Sequence, residues 1–285
     1  MFIKIVSYNI LADYLNDPTY MLVKKKYLDN KYRLYLLTEK IKKIISDKTV
    51  FCFQEVGPIQ LSTLYLFFKK LNFESISYSG LAIFYHKSFT VKFLEINSIW
   101  RLHDELPFKK KNKMVESIKN FKHPYIILGL ASKNKSFTIG TTHIIANPKF
   151  ERIKVIQSFL VAKRISCFPS PILCGDFNSV PSSDTYKLLS EGKIDYPGYG
   201  ELKLRCKLKS SYQLIHGEEK NITTHTSNLT TEKFTETIDY IWIGKGIKVE
   251  STIPIVTKEE IENTDFMPNK TEPSDHFLIK AVLKI

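Results

Sequence analysis

Short apolar runs rich in β-branched and aromatic residues alternate along this chain with a few longer amphipathic stretches. The short runs predict β-strands, because such residues suit the pleated, half-buried surface of a sheet. The predicted strands are Phe2–Ser7, Val50–Phe53, Leu81–Tyr85, Thr90–Glu95, Tyr125–Ala131, Ser136–Thr141, Pro171–Cys174, Ile238–Trp242 and Phe277–Leu283. The longer stretches place apolar residues three or four positions apart, which is the spacing of one helix face. The predicted helices are Tyr32–Ile45, Ile59–Leu71, Lys149–Ser166 and Ser183–Leu189.

The order of these elements is too irregular for a strict alternation of strand and helix. It favours an α/β (α+β) fold in which two mixed sheets pack face to face with helices on the outside. The sequence has no internal repeat and no Gly/Ser-rich or Pro-rich linker, so residues 1–285 are predicted to form a single domain. The polar stretches Arg101–Pro124 and Thr257–Pro273 are interpreted as surface loops.

The composition narrows the class of protein. The chain has 285 residues, of which 43% are hydrophobic and 25% charged, so disorder throughout is excluded. No apolar run approaches the roughly 18–20 residues that cross a bilayer, so no membrane association is expected. The cysteines show no C-x-x-C spacing, which argues against a zinc cage. We interpret Cys52, Cys167, Cys174 and Cys206 as reduced, buried thiols of a cytoplasmic protein.

The net charge of +13 has two explanations that the sequence leaves open. A basic protein attracts polyanions such as nucleic acid. Only five of the 42 basic residues are arginine, however, and a lysine-rich composition also arises from an AT-rich genome. The run Lys109–Lys113 (KKKNK) is likewise either a solvated surface segment or a contact with a nucleic-acid backbone.

Polar side chains gather where the predicted strands begin or end. They are Asn9, Glu55, His143, Asp176, Asn178, Asp239, Asp275 and His276. Each alone also fits a structural role, such as a turn residue, a helix cap or a hydrogen-bonded histidine. Together, on strands that emerge along one edge of a sandwich, they would form a single cleft.

Oxygen-rich side chains of this kind suit Mg²⁺, which is usually held by one or two carboxylates and a substrate phosphate. Glu55 and Asp176 could supply the carboxylates, while Asn9 and Asn178 could supply neutral oxygens or amide donors. Asp239 and His276 fit an imidazole oriented by a carboxylate, which could stabilise negative charge on a phosphorus centre. Haem and iron–sulfur ligand sets are lacking in the sequence.

Six ordered motifs resemble the signatures of the endonuclease/exonuclease/phosphatase superfamily. They are Ser7-Tyr8-Asn9-Ile10-Leu11-Ala12, Phe53-Gln54-Glu55-Val56, Thr142-His143, Gly175-Asp176-Phe177-Asn178-Ser179, Ile238-Asp239-Tyr240-Ile241 and Ser274-Asp275-His276-Phe277. The resemblance spans the whole chain and implies the four-layer αββα sandwich of two packed mixed sheets of DNase I. Within the superfamily, the chain is most similar to the deadenylase branch, which includes the mRNA deadenylase catalytic subunit, nocturnin, angel proteins and 2′,5′-phosphodiesterase.

The resemblance implies a Mg²⁺-dependent phosphodiesterase, a 3′-exoribonuclease of the poly(A) deadenylase type, with single-stranded RNA or oligoadenylate as its partner. One or two Mg²⁺ ions are expected, and Mn²⁺ could substitute. The implied roles are metal binding for Glu55, Asn9, Asp176 and Asp275, and catalysis for Asp176, Asn178, His143, His276 and Asp239. Asp176 would orient the attacking water or bind a second ion, and Asp239 would orient His276. Protein partners are not predicted.

Two further positions match residues that sandwich an adenine in the deadenylases, namely Pro148 and Phe234. Together with Asn178, they are the predicted substrate-binding residues. Phe234 could equally be an ordinary loop aromatic. The stretch between Glu74 and Gly80 is shorter than in that branch.

Three other functions stay open from the sequence. The same fold could cleave a different bond, as a 2′,5′-oligoadenylate phosphodiesterase or a 2′,3′-cyclic phosphate phosphatase. It could act on DNA, as a repair-type or DNase I-like endonuclease. It could also be a binding module without catalysis, although every expected metal and acid–base position is filled.

Overall fold

The computed structural model describes residues 1–108, 113–198 and 200–285, without the side chains of residues 113–115. The basic run at 109–113 therefore lies outside the described residues, except for the backbone of Lys113. The helices are α1 (Asn30–Lys42), α2 (Pro58–Lys70), α3 (Lys113–Lys119), α4 (Glu151–Ile165), α5 (Asp184–Glu191), α6 (Ser211–His216) and α7 (Lys258–Ile261). Short 3-10 helices span Lys25–Leu28, Ile99–Glu105 and Pro148–Phe150. In the described part of the chain, no helix is long and apolar enough to cross a membrane.

The strands assemble into two large mixed sheets. They are β1 (Phe2–Asn9), β2 (Thr49–Gln54), β3 (Phe73–Tyr78), β4 (Leu81–His86), β5 (Thr90–Ser98), β6 (Pro124–Ser132), β7 (Lys135–His143), β8 (Pro171–Asp176), β9 (Lys193–Tyr196), β10 (Gly200–Lys203), β11 (Lys209–Ser210), β12 (Thr224–Thr226), β13 (Phe234–Glu236), β14 (Asp239–Ile243), β15 (Lys248–Thr252) and β16 (Ile279–Lys284). The first sheet has the order β15-β16-β1-β2-β4-β3, and the second has the order β11-β14-β8-β7-β6-β5. The pairs β9–β10 and β12–β13 form small separate ribbons.

Successive side chains of a strand point to opposite faces of its sheet. Each strand therefore contributes to two cores, one between the sheets and one beneath the helices. On β1, Ile3 and Ile5 enter the core between the two sheets. Val6 and Tyr8 of the same strand face away and join the core beneath α1 and α2. On β8, Cys174 lies between the sheets, whereas Leu173 packs in the core beneath α4 and α5. The result is the four-layer αββα sandwich that the sequence predicted.

The four predicted helices are confirmed with small shifts at their ends. Asp29 caps α1 by accepting a hydrogen bond from the Tyr32 amide at 2.8 Å. Pro58 begins α2, where its missing amide hydrogen is not needed. Ser183 caps α5 as its sequence position suggested, and its side chain accepts from the Tyr186 amide at 3.2 Å. All nine predicted strands are also present, with ends displaced by a few residues.

Two predicted surface loops are wrong in part. The stretch Arg101–Pro124 contains most of a 3-10 helix and all of α3, and it buries Leu106 and Ile118. The stretch Thr257–Pro273 contains α7 and buries Met267. The missed helices α3 and α7 have only seven and four residues, too few for helical spacing to distinguish them from a loop.

The cysteine prediction is also corrected in part. All four cysteines carry free thiols, as expected. Cys52 and Cys174 are fully buried between the sheets, but Cys167 and Cys206 are only partly buried. These two partly buried cysteines lie after α4 and after β10, outside the strands of the two sheets.

Strand direction brings the chemically important ends together. β1 runs parallel to β2, and β7 runs parallel to β8, so each pair ends at the same edge of its sheet. β14 and β16 run antiparallel to β8 and β1, so each begins where its neighbour ends. Because β1 packs against β8 across the sandwich, these ends and beginnings meet at one open edge.

Candidate active site

Four predicted site residues occupy the same face of their strands, the face that looks across to the other sheet. Asp176 points to the same side of β8 as Ile172 and Cys174, and Asp239 points to the same side of β14 as Ile241 and Ile243. These four apolar residues lie in the core between the sheets. Asn9 and His143 have the corresponding parity on β1 and β7. The site is therefore the polar continuation of the inter-sheet core at its open edge.

Glu55 reaches this cleft by breaking the alternation. It follows β2, where Phe51 and Phe53 face the helical layer, and regular alternation would direct Glu55 there as well. Its backbone instead adopts a left-handed conformation with φ +51°. Such a conformation is costly for a residue with a side chain and often occurs at functional sites. The carboxylate consequently faces Asn9 at 2.9 Å rather than the helices.

Asn9 joins the two predicted metal-binding carboxylates. Its Nδ2 donates to Glu55 Oε1 at 2.9 Å and to Asp176 Oδ2 at 3.0 Å. Its Oδ1 accepts from the Leu11 amide at 3.1 Å. Of the two roles that the sequence allowed for Asn9, the structure shows the amide donor, which holds two negative groups side by side.

This pair of carboxylates fits a divalent cation. Ligand atoms of Glu55, His143 and Asp176 all lie within 4.8 Å of one another. His143 Nε2 is 3.6 Å from Asp176 Oδ2 and 3.9 Å from Glu55 Oε1. Asp176 is almost fully buried, and two carboxylates at such close range repel each other unless a cation lies between them. Carboxylate oxygens are the donors that Mg²⁺ prefers.

Asp239 and His276 form a second, hydrogen-bonded pair beside the first group. His276 Nδ1 lies 2.8 Å from Asp239 Oδ2, and His276 Nε2 points toward Asp176 Oδ2 at 3.7 Å. Burial by itself lowers the pKa of His276, but the facing carboxylates of Asp239, Asp275 and Asp176 outweigh it and raise that pKa well above 6.5. The cationic imidazole therefore presents Nε2 to the cleft, where a phosphate oxygen would accept a hydrogen bond.

Asn178 is fixed by its own backbone geometry. Its φ is +50°, and its amide donates to Asp176 Oδ1 at 2.9 Å. Its side-chain Nδ2 donates to the Ile144 carbonyl at 2.9 Å. The structure thus places Asn178 beside Asp176 as predicted, while its contact with substrate stays a prediction.

The remaining predicted residues lie outside the two clusters. The carboxylate of Asp275 accepts from the Ser274 hydroxyl at 3.3 Å and, with Glu55, lines a cavity of about 460 Å³. Pro148 is exposed at the start of a 3-10 helix, and Phe234 is half-buried on β13. Metal binding by Asp275 and adenine stacking by Pro148 and Phe234 stay predictions.

Several supporting residues carried no sequence signal. Lys154 is buried on α4 and donates to the Asn178 carbonyl at 2.8 Å, although helical spacing alone marks it as an ordinary polar position. Arg33 is buried on α1 and donates from Nε to the Pro273 carbonyl at 2.6 Å. His123 Nδ1 lies 3.0 Å from the His143 carbonyl, which accepts its hydrogen bond. These contacts join residues far apart in the chain, so no local motif could reveal them.

Two solved structures share this fold over nearly the whole chain. ANGEL2, described as a 2′,3′-cyclic phosphatase in complex with adenosine-2′,3′-vanadate, superposes with a TM-score of 0.83 at 21% identity, covering 99% of this chain and 95% of that one. The human Nocturnin catalytic domain superposes with a TM-score of 0.70 at 20% identity, covering 99% and 93%. Both likenesses show the fold.

Sequence relatives cover nearly all of this chain. The 2′,5′-phosphodiesterase 12 of Rattus norvegicus is 27% identical over 321 residues, which is 99% of this chain and 52% of that protein. The probable CCR4-Not complex 3′-5′-exoribonuclease subunit Ccr4 of Encephalitozoon cuniculi is 26% identical, covering 98% of this chain and 61% of that protein. The chain thus spans about half to three fifths of the length of these curated relatives.

The chain matches one protein family over most of its length. Residues 6–276 match the Endonuclease/Exonuclease/phosphatase family, from the first strand through His276. All six motifs fall inside or directly beside this span, and the sandwich and its polar edge agree with it. This protein belongs to the Endonuclease/Exonuclease/phosphatase family.

Proposed function

We propose that this protein is a Mg²⁺-dependent phosphodiesterase that removes nucleotides from the 3′ end of RNA, as a poly(A)-type deadenylase. The arrangement of Glu55 and Asp176 carries the proposal. One amide, that of Asn9, holds both carboxylates, and the Asp239–His276 pair faces the same point. A phosphodiester bound between these groups would contact an ion held by Glu55 and Asp176 and would also accept a hydrogen bond from His276.

The chain's own residues have distinct tasks in this proposal. Glu55 and Asp176 would hold Mg²⁺, which supplies Lewis-acid polarisation of the phosphate when it is bound. Asp176 would also orient the attacking water, because it is nearly fully buried and fixed by Asn9 and the Asn178 amide. His276 and His143 would donate hydrogen bonds to phosphate oxygens as charge develops on them.

Two observations support RNA as the proposed substrate: the similarity to a described exoribonuclease and the net charge of the chain. One relative is described as a 3′-5′-exoribonuclease subunit, and its similarity extends over 98% of this chain. The net charge of +13 favours capture of a polyanion. The predicted adenine contacts, Pro148 and Phe234, would favour a base with a large stacking surface.

Product analysis tests the class of reaction. A 5′-labelled RNA with a 3′ oligoadenylate tail is incubated with the protein and Mg²⁺, and the products are separated by length. We expect a ladder of single-nucleotide steps that shortens from the 3′ end. Internal cuts, or faster cleavage of duplex DNA, would replace the exoribonuclease proposal with an endonuclease.

Variants of the two carboxylates test the site. Glu55→Ala and Asp176→Ala should each lower turnover at least about a thousandfold, since each removes a ligand of the ion that polarises the phosphate. Asp47→Ala is the matched control, because Asp47 is an exposed carboxylate after α1. Circular dichroism and thermal melting verify folding. Metal-dependent turnover that survives in both site variants contradicts the assignment.

A second activity is favoured by a specific similarity. The relative that is 27% identical over 99% of this chain is described as a 2′,5′-phosphodiesterase. The same site would then hydrolyse 2′,5′-linked oligoadenylates. Parallel reactions with 3′,5′- and 2′,5′-linked tetraadenylates separate the two activities by their kcat/KM values.

We also propose that the protein acts in the cytoplasm. All four cysteines carry free thiols, and two of them are buried side by side in the inter-sheet core without forming a disulfide. A reducing compartment preserves such thiols. Fractionation of the source cells, with detection of the protein in each fraction, tests this placement.

A further inference from the structure

Two cavities adjoin Glu55, one on each side of a short loop. The first has a volume of about 340 Å³ and extends past His143 to Lys122. The second, of about 460 Å³, extends toward Asp275. Tyr14 and Glu55 line both cavities, so the loop that carries Tyr14 forms the partition between them. Neither cavity is lined by Pro148 or Phe234.

The loop that carries Tyr14 is held firmly on the side of the carboxylates. The carbonyls of Ile10 and Leu11 accept hydrogen bonds from Arg33 and from Gln60. The Ala12 amide donates to Glu55 Oε2 at 3.4 Å. The next residue, Asp13, accepts from the Ile59 amide at the start of α2 at 3.1 Å. The backbone beneath Tyr14 is therefore fixed relative to Glu55.

The Tyr14 side chain itself is not packed. It is 67% exposed, although the backbone that carries it is anchored. An exposed aromatic ring on a fixed backbone is the arrangement on which a nucleic-acid base stacks. Because Tyr14 lies between two cavities that both reach Glu55, its ring would lie beside a nucleotide bound at Glu55.

Charge distinguishes the two cavities. The first is lined by Lys122, which is exposed and forms no ion pair within the part of the chain that the structure describes. The second is lined by the carboxylates of Asp17 and Asp275 in addition to Glu55. A phosphate of the substrate would therefore be favoured in the first cavity over the second, although Glu55 lines both.

The far wall of the first cavity is also built from fixed backbone. Ser79 and Gly80 turn between β3 and β4 with positive φ and line the cavity. The Gly80 carbonyl accepts from the Val56 amide at 2.9 Å, directly after Glu55. Both walls are thus tied to the segment that carries the carboxylate.

We propose that the first cavity is a second nucleotide subsite, in which Tyr14 stacks on a base adjoining the cleaved bond and Lys122 contacts a neighbouring phosphate. The proposal rests on the proposed nuclease function and adds to it the residues that bind the second nucleotide. The bound group is the nucleotide on the other side of the scissile phosphate from the one assigned to Pro148 and Phe234.

Binding of an oligonucleotide tests the subsite without requiring turnover. The probe is fluorescein-labelled 3′,5′-tetraadenylate, and its Kd is measured by anisotropy in an Asp176→Asn background, which prevents cleavage. Adding Tyr14→Ala should weaken binding by about 5- to 150-fold, the loss expected for one base–aromatic stack. Tyr14→Phe, which keeps the ring, should bind like the background protein.

Abasic probes separate stacking from a general loss of structure. In two further tetranucleotides, one or the other nucleoside at the terminal bond is replaced by an abasic ribose. The Tyr14→Ala penalty should vanish for one of these probes and persist for the other. Tyr35→Ala is the matched control, because Tyr35 is 61% exposed on α1 and lines neither cavity.

Salt dependence tests the lysine. Lys122→Ala should reduce the slope of log Kd against log salt concentration by about 0.7, the value for one phosphate contact to a single strand. Lys31→Ala, at an exposed lysine on α1, should leave the slope unchanged.

The outcomes are distinct. Equal affinity of the Tyr14→Ala and background proteins for the full probe overturns the subsite, as does an equal penalty on all three probes. Tight binding with the expected Tyr14 effect, but no RNA cleavage by the unmodified protein, overturns the proposed reaction and leaves the subsite standing. No binding of any probe overturns both.

Discussion

At the scale of single residues, the site includes backbone conformations that residues with a side chain rarely adopt. Glu55 and Asn178 both have left-handed φ values, at +51° and +50°. Each such residue costs about 1–3 kcal/mol, so neighbouring contacts must hold it. Asn9 holds the Glu55 carboxylate, and the Asp176 carboxylate accepts from the Asn178 amide. Two of the candidate site residues are thus also strained positions of the backbone.

Asp239 and His276 should act as one unit. Asp239→Asn and His276→Gln should each lower kcat by about 100- to 10,000-fold with a smaller change in KM, because the cationic donor is lost in either case. The double variant should lose little more than the worse single variant, since groups that act together are not additive. Steady-state kinetics on the oligoadenylate substrate measure all three.

If the loss of kcat in the double variant equalled the product of the losses in the two single variants, Asp239 and His276 would act independently. Tyr240→Phe, at a buried hydroxyl that donates to the Ser179 carbonyl, is a control for perturbation near this strand. It should change thermal stability more than kcat, because its hydroxyl faces the backbone rather than the cleft.

At the scale of elements, the joint between β7 and β8 positions two site residues at once. His143 is paired with Asp176 in the parallel register, and Thr142 is paired with Gly175. A Cβ atom at Gly175 would lie 2.2 Å from the Thr142 carbonyl oxygen, and the φ of Gly175 is +154°. Only glycine permits the strands to approach so closely at this point.

Gly175→Ala should therefore lower the free energy of unfolding by about 3 kcal/mol, through overpacking and strain together. Gly217→Ala is the matched control, because Gly217 also has a positive φ but has open space around its Cβ position. The control should cost only about 1 kcal/mol. Chemical denaturation of both variants measures the difference, and equal losses would show that close approach is unimportant.

The outer helix α4 is joined to the edge strand β5 by a paired charge. Arg164 donates from Nε and one terminal nitrogen to the carboxylate of Glu95 at 2.6–2.9 Å. Burial by itself raises the pKa of Glu95, but the hydrogen bonds from Arg164 and Tyr125 outweigh it and lower that pKa below 4.5. The ionised pair is thus part of the folded state.

Glu95→Gln should lower the free energy of unfolding by about 1–3 kcal/mol near neutral pH. A depressed carboxyl pKa stabilises the fold above the ordinary value of 4.5, and this stabilisation is lost as the pH falls through the folded-state value. The difference between the variant and the unmodified protein should therefore shrink in acid. Glu39→Gln, in an exposed pair with Lys42, should cost under about 1 kcal/mol.

At the scale of the whole molecule, the site exists only because two sheets meet. Asn9 lies on the first sheet and Glu55 directly follows its strand β2, whereas Asp176, Asp239 and His143 lie on the second sheet. Gln54 also joins the layers, since its Nε2 donates to Thr141 Oγ1 at 2.9 Å. Any ion held by Glu55 and Asp176 would therefore link the two halves of the sandwich.

Mg²⁺ should consequently stabilise the folded protein. At an ion concentration a hundredfold above its Kd, binding adds about 2.7 kcal/mol to the free energy of unfolding. Thermal melting with MgCl₂, compared with KCl at equal ionic strength, measures this effect without any substrate. Glu55→Gln should abolish the increase, and an unchanged increase in that variant would place the ion elsewhere.

The sequence by itself was enough to predict the strands and helices whose apolar residues recur at regular spacing. It was also enough to predict the polar residues at the strand ends and the family resemblance. The spacing of apolar residues along a strand or a helix is a local property of the chain. It can therefore be recognised in β1, β8 and α4 from the sequence alone. The same holds for the ordered motifs, because each is a few consecutive residues. The helices within 101–124 and 257–273 were missed because they are too short to repeat an apolar spacing.

Only the tertiary structure decided how these parts meet. It set the inward turn of Glu55, the double donation from Asn9, the buried support of Lys154 and Arg33, and the partition formed by Tyr14. Each depends on a contact between residues far apart in the chain or on a φ value that local pattern does not encode. Such contacts are determined by the packing of whole layers, which no short stretch of sequence specifies alone.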